Sequence, residues 1–267
     1  PFLDRGGVRL AWDDQGSGPP VLLIMGHRYS SRMWYPVFED LGGRYRLVSF
    51  DNRGTGQSGS RARTSVAEMT ADALAVLDAA ELDSAHVYGV SMGGGIALEF
   101  AIRHPDRVRS LILGCTRAKT ADVPSRGRWL MGLIYRLPMP VLKAMAGKRF
   151  KGGYGDAAPD DAIARDRAVL DSDPFSRSGV LAQALAIADY VVREEDVRAV
   201  RAPTLVLHGT QDQAVPYEAG QALAAMIPGA RLVTFQDCGH NYMVGARQAA
   251  NAAVEAFIQE VEATRAA

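Results

Sequence analysis

Residues 85 to 101 read Ala85-His86-Val87-Tyr88-Gly89-Val90-Ser91-Met92-Gly93-Gly94-Gly95-Ile96-Ala97-Leu98-Glu99-Phe100-Ala101. The first four residues form a β-type run and the last eight a helical run, with a Gly-x-Ser-x-Gly sequence between them. That five-residue pattern is common by chance, and on its own it reads as a turn serine. Here the flanks change its meaning. A turn this tight from strand to helix forces its central residue into a strained backbone, and small residues on either side relieve the clash. The serine is lifted clear of the sheet, above a helix N-terminus that favours developing negative charge. Ser91 is therefore a candidate nucleophile. The backbone N–H of Met92, the next residue, is a candidate oxyanion donor.

Outward from this turn, short β-type runs alternate with longer helical ones, the pattern of a mostly parallel sheet with helices on both faces. Val8 to Asp13 alternates apolar and polar residues, as a half-exposed edge hairpin strand does. The turn cluster Gln15-Gly16-Ser17-Gly18-Pro19-Pro20 leads into Val21-Leu22-Leu23-Ile24-Met25, apolar throughout and so a buried central strand. Arg46 to Phe50, His86 to Val90, Ser110 to Cys115, Thr204 to His208 and Arg231 to Phe235 complete the strands. Helices are expected over Arg32 to Leu41, Val66 to Ala80, Met92 to His104, Tyr217 to Met226 and Gln248 to Ala263.

One region breaks the alternation. Residues 117–200 contain no convincing strand and are rich in Met, Arg and aromatic residues. Helical spacing appears in Trp129-Leu130-Leu133-Ile134-Leu137 and again in Val180-Leu181-Ala184-Leu185-Ala188. Pro138, Pro140, Pro159 and Pro174 cut the segment into short helices. A helical insertion between two strands of one sheet reads as a cap. The expected organisation is a core of residues 1–116 and 201–267 with a cap of residues 117–200. Trp129, Tyr135 and Met139 are the cap side chains expected to reach substrate, although such residues more often only pack a cap onto its sheet.

Composition narrows the function. Among 267 residues, 48% are hydrophobic and 22% charged, which suits a folded core. Thirty basic residues balance thirty acidic ones, leaving no long-range field to draw nucleic acid or an anionic membrane; a small-molecule substrate is the expectation. Two cysteines, Cys115 and Cys238, are too few for a disulfide framework and read as small buried residues. No apolar run nears the ~18 residues needed to span a bilayer, and Pro1-Phe2-Leu3-Asp4-Arg5 carries no leader pattern, so a cytoplasmic location is expected. No cofactor and no metal are expected, because no clustered carboxylate or cysteine accompanies the histidines. A homo-oligomer is possible but not indicated.

Four blocks together resemble the α/β-hydrolase family over essentially the whole chain: Met25-Gly26-His27, Asp51-Asn52-Arg53-Gly54-Thr55-Gly56-Gln57-Ser58, Gly89 to Gly93, and Cys238-Gly239-His240. The resemblance implies an α/β-hydrolase fold with an inserted helical cap, and a Ser-Asp-His chain order for the triad. The acid position falls in His208-Gly209-Thr210-Gln211-Asp212, which points to Asp212, and the Gly-His block points to His240. His86 and His208 lie in strands and read as packing residues; His104, before Pro105, reads as a surface C-cap. Where the family has His-Gly and then an apolar residue, this chain has Met25-Gly26-His27. The resemblance makes the His27 amide the second oxyanion donor. Its side chain either binds a polar substrate group or fills space. Asp51 and Arg53 read as turn builders.

The function implied is a serine hydrolase that cleaves a carboxylic ester or lactone of a small-to-medium apolar substrate through an acyl-enzyme. The same triad in this family also serves perhydrolysis, thioester hydrolysis and carbon–carbon bond cleavage. A slow-turnover ligand receptor is the alternative of another class.

Overall fold

The computed structural model describes residues 1–119, 137 and 153–266. Its sheet comprises β1 (Phe2–Arg5), β2 (Val8–Gln15), β3 (Pro20–Ile24), β4 (Arg46–Phe50), β5 (Ala85–Val90), β6 (Val108–Gly114), β7 (Thr204–Gly209) and β8 (Arg231–Phe235). They lie in the order β1-β2-β4-β3-β5-β6-β7-β8. From β4 to β8 every neighbouring pair is parallel, while β1–β2 and β2–β4 are antiparallel.

The edge differs from the sequence reading. β1 holds it, and the Val8–Gln15 strand is second, paired on both sides. Gly6 and Gly7, both at positive φ, close the hairpin between them. A four-residue strand carries too little alternation to stand out from its flanks.

β3 is buried along its whole length, and its side chains alternate between two cores. Leu22 and Ile24 join Val48 and Phe50 against α2 (Val66–Ala79) and α3 (Met92–Arg103), through Met69, Val76, Ile96 and Phe100. Val21 and Leu23 face the other way, with Leu47 and Tyr88, onto α1 (Tyr35–Leu41) and α9 (Arg247–Ala266), through Val37, Leu41, Phe257 and Ile258. Each such fully buried side chain contributes about 1.5–3 kcal/mol of hydrophobic stabilisation. A strand with both faces covered is what a continuous apolar run predicts. The helix expected from Arg32 begins as a 3-10 turn, Ser31–Trp34, capped by the Ser30 hydroxyl, and becomes α-helical at Tyr35, just before Pro36.

Between β6 and β7 the described residues form α4 (Asp160–Asp171), α5 (Arg177–Asp189) and α6 (Glu194–Arg198), followed after β7 by α7 (Tyr217–Met226) and, after β8, by α8 (Tyr242–Gly245). Trp129, Tyr135 and Met139, expected to reach substrate, lie outside the described residues.

The chain leaves β4 for β5 by crossing to the other side of β3, so the sheet order reverses next to β3. Ligands of open α/β sheets bind beyond the carboxyl ends of the strands at such a point. Here those ends carry the loop from Met25 and the Ser91 turn.

Candidate active site

Ser91 has φ 54° and ψ −119°, a left-handed backbone that non-glycine residues rarely adopt. Its neighbours explain how the turn closes. A Cβ built on Gly89 would strike the Gly93 carbonyl, and one on Gly93 would strike the Ile24 carbonyl. The Ser91 amide donates to Gly114 O at 2.8 Å and its carbonyl accepts from Thr116 Oγ1 at 2.8 Å, so β6 and the loop after it hold the turn. Ser91 stands at the N-cap of α3, yet its hydroxyl does not cap the helix. It lines a cavity of about 550 Å³ instead.

His240 lies in the loop after β8. Its Nδ1 is 2.7 Å from Asp212 Oδ2. Asp212 is held in turn by the loop after β7, where Oδ1 accepts from the amides of Ala214 and Val215 at 2.8 and 2.9 Å. Burial alone would raise the Asp212 pKa, but hydrogen bonds from His208 and His240 outweigh it and hold the carboxyl well below the usual range. The carboxylate fixes the proton on Nδ1 of His240, which leaves Nε2 as the basic nitrogen. Ser91 and His240 line the same cavity, and their side chains are not hydrogen-bonded to one another. Such contacts commonly tighten only when substrate is bound.

The His240 loop is fastened on the outside as well. Gly239 and Asn241 donate their amides to Tyr154 O and Gly153 O at 2.8 and 2.7 Å, and Cys115 Sγ lies 3.0 Å from His240 O.

Met92 is the first residue of α3, where an amide has no acceptor within its own helix. His27 follows β3 across the same cavity. Its ring is tied to α5, with Nε2 2.9 Å from the Val180 carbonyl. Since a carbonyl only accepts, Nε2 carries the proton. Burial lowers the pKa of the ring and keeps it neutral.

The Asp51 block braces turns, as the sequence reading expects. Asp51 accepts from Ser31 N and Oγ and from Gln57 N, each at 2.8 Å, while Arg53 forms a buried ion pair with Asp72 on α2.

His208 was legible only as a packing residue. The structure gives it a further contact: its Nε2 lies 3.0 Å from Val215 O and 3.3 Å from Asp212 Oδ2. Its Nδ1 has no hydrogen-bond partner and abuts Gly220 of α7. The four-residue spacing from His208 to Asp212 is the signal that could have revealed it. Arg28, Tyr29, Asp166 and Asn241 also line the cavity and had no signature in the sequence.

Among the described residues, Cys115, Asp212 and His240 are the group whose ligand atoms lie close enough, within 4.8 Å, to share a metal ion. Burial pushes the Cys115 thiol up and keeps it protonated, while Asp212 is committed to the imidazole. That chemistry fits a proton relay better than an ion. No helix among the described residues is long and apolar enough to cross a membrane.

A family model for the α/β hydrolase fold matches residues 19–244. The chain is 31% identical to a 2-hydroxymuconate semialdehyde hydrolase from Pseudomonas putida, over 96% of this chain and 93% of the relative. It is 29% identical to the putative non-heme bromoperoxidase BpoC from Mycobacterium tuberculosis, over 96% of this chain and 100% of that protein. A solved thermophilic esterase from Thermogutta terrifontis superposes with a TM-score of 0.82 at 29% identity, over 97% of both chains. The sheet order, the strained serine turn and these matches agree, and the chain belongs to the α/β-hydrolase family.

Proposed function

We propose that this α/β hydrolase is a serine enzyme that opens carboxylic esters or lactones of small-to-medium, largely apolar acyl groups through an acyl-enzyme. In this reading Ser91 is the nucleophile, His240 its base and Asp212 the acid that orients the imidazole. The amides of His27 and Met92 form the oxyanion hole, and residues 117–200 act as a cap over the site.

The observation that carries the reading is the 2.7 Å contact between Asp212 and Nδ1 of His240, in a cavity that Ser91 shares. With Nδ1 donating to the carboxylate, Nε2 is free to accept the serine proton as Oγ attacks the acyl carbon. The carbonyl electrons move onto oxygen, where amide donors are each worth ~3 kcal/mol of barrier. Collapse of that intermediate expels the alcohol, which takes the proton back from Nε2. Water then attacks the acyl-enzyme with Nε2 again as base, and the acid leaves. Met25, Met33, Val90 and Val244 supply the apolar lining an acyl chain needs.

Fluorophosphonate labelling tests this assignment. The expected result is one adduct per chain, on the peptide that contains Ser91. An unlabelled chain, or an adduct on another residue, overturns it.

A further inference from the structure

We propose that the substrate carries a carboxylate and that Arg28, a residue of the Ser91 cavity wall, binds it. This deepens the functional reading above and rests on it, naming the class of acid or ester the site accepts.

Arg28 immediately follows His27, lines the same cavity as Ser91 and His240, and is half-buried. Its backbone is left-handed, with φ 75°, a conformation that glycine adopts without strain and arginine does not. The strain is imposed from outside: the Arg28 amide donates to Gln183 Oε1 at 3.0 Å, and buried Gln183 also donates to the Arg53 carbonyl. The fold therefore holds a costly residue type at a position where a smaller one would sit more easily.

Among the described residues the side chain has no compensating charge. Other cations among the described residues are paired: Arg165 and Arg247 bond Glu39, and Arg53 and Arg5 bond Asp72. Arg28 makes no ion pair among the described residues; its guanidinium lies 5.2 Å from the Phe175 ring centroid. The acid that shares the cavity wall, Asp166, is already engaged by the Tyr154 hydroxyl. Burial also raises the Asp166 pKa, which weakens it as a counter-charge. Arg28 is a half-buried residue of the cavity wall, and its planar fork of donors matches the two oxygens of a carboxylate.

The test uses two matched pairs of esters. p-Nitrophenyl pentanoate and mono-p-nitrophenyl glutarate have acyl chains of equal length, and only the second ends in a carboxylate. 3-Carbamoylphenyl pentanoate and 3-carboxyphenyl pentanoate move the charge to the alcohol side. The wild-type enzyme is expected to prefer the charged member of one pair by about tenfold or more in kcat/KM, mostly through KM. Which pair shows it tells which side of the scissile bond Arg28 reads. Arg28→Met should erase that ratio, and Arg28→Lys should keep part of it; reading a ratio cancels any general damage to the enzyme. A wild type with no preference in either pair, or a ratio unchanged in Arg28→Met, overturns the proposal.

Calorimetry with glutarate separates this inference from the hydrolase reading, since it needs no turnover. Ser91→Ala should bind glutarate at least about tenfold more tightly than Ser91→Ala/Arg28→Met; equal affinities overturn the carboxylate site. Full ester turnover by Ser91→Ala would refute the nucleophile and leave the glutarate comparison valid.

Discussion

Ser91→Ala is expected to lower kcat/KM for p-nitrophenyl pentanoate by about 10⁴-fold or more, the scale on which removing a triad nucleophile acts. The oxyanion amides belong to the backbone and survive the change, so a small residual rate above that of water remains. Stability should hardly move. The Ser91 hydroxyl does not cap α3, so deleting it leaves no buried partner unsatisfied, and the Cβ that fills the turn is retained. Thermal melts of wild type and variant should coincide within about 0.5 kcal/mol, the ordinary range for a change that breaks no buried contact. A variant that is folded and fully active would remove Ser91 from the mechanism; one that fails to fold would show that the turn needs the hydroxyl.

Asp212→Asn is expected to be nearly as damaging, about 10⁴-fold in kcat, for a different reason. The Ala214 and Val215 amides both point at Oδ1, so the amide oxygen of asparagine must take that place. Its NH2 then faces His240 Nδ1, which must accept a hydrogen bond and shift its proton to Nε2. That is the wrong tautomer for taking a proton from serine. The opposite rotamer turns the NH2 against two amide donors and is worse.

The same variant has a signature in acid. Asp212 has a depressed pKa in the folded protein, so its carboxylate contributes stability that is fully present above the unfolded value near ~3.9 and is lost as pH falls through the folded value. Urea unfolding at neutral pH and at progressively lower pH should therefore show the stability gap between wild type and Asp212→Asn shrinking below about pH 4. A gap that widens below about pH 4 would contradict the account of Asp212 as a carboxylate held by the hydrogen bonds it accepts.

The fold was readable because β3 is apolar on every residue, the other central strands are mostly apolar, and its turns carry glycines that a side chain would obstruct. Leu22 and Val21 serve opposite cores, which is why a run without alternation marks a strand covered on both faces. β1 escaped notice because Phe2–Arg5 is too short for a period to register, and with it went the identity of the edge. Ser91, Asp212 and His240 each stood in a local pattern: a strand–turn–helix, and two loops at strand ends. The cavity wall had no such pattern. Arg28 and Asp166 are 138 residues apart in sequence and meet the same cavity only because α4 packs near the loop after β3. His208 looked like any buried strand residue until the turn that follows it brought Asp212 back beside its ring.

The central claim is that the Ser91 oxygen carries the acyl group from ester to water. Rapid quenching of the first turnover with p-nitrophenyl pentanoate, followed by peptide mass analysis, measures this directly. The predicted result is a transient gain of one pentanoyl group on the peptide containing Ser91, which disappears as substrate runs out. Turnover that proceeds while that peptide stays unmodified, and in which another residue carries the acyl group, would contradict it.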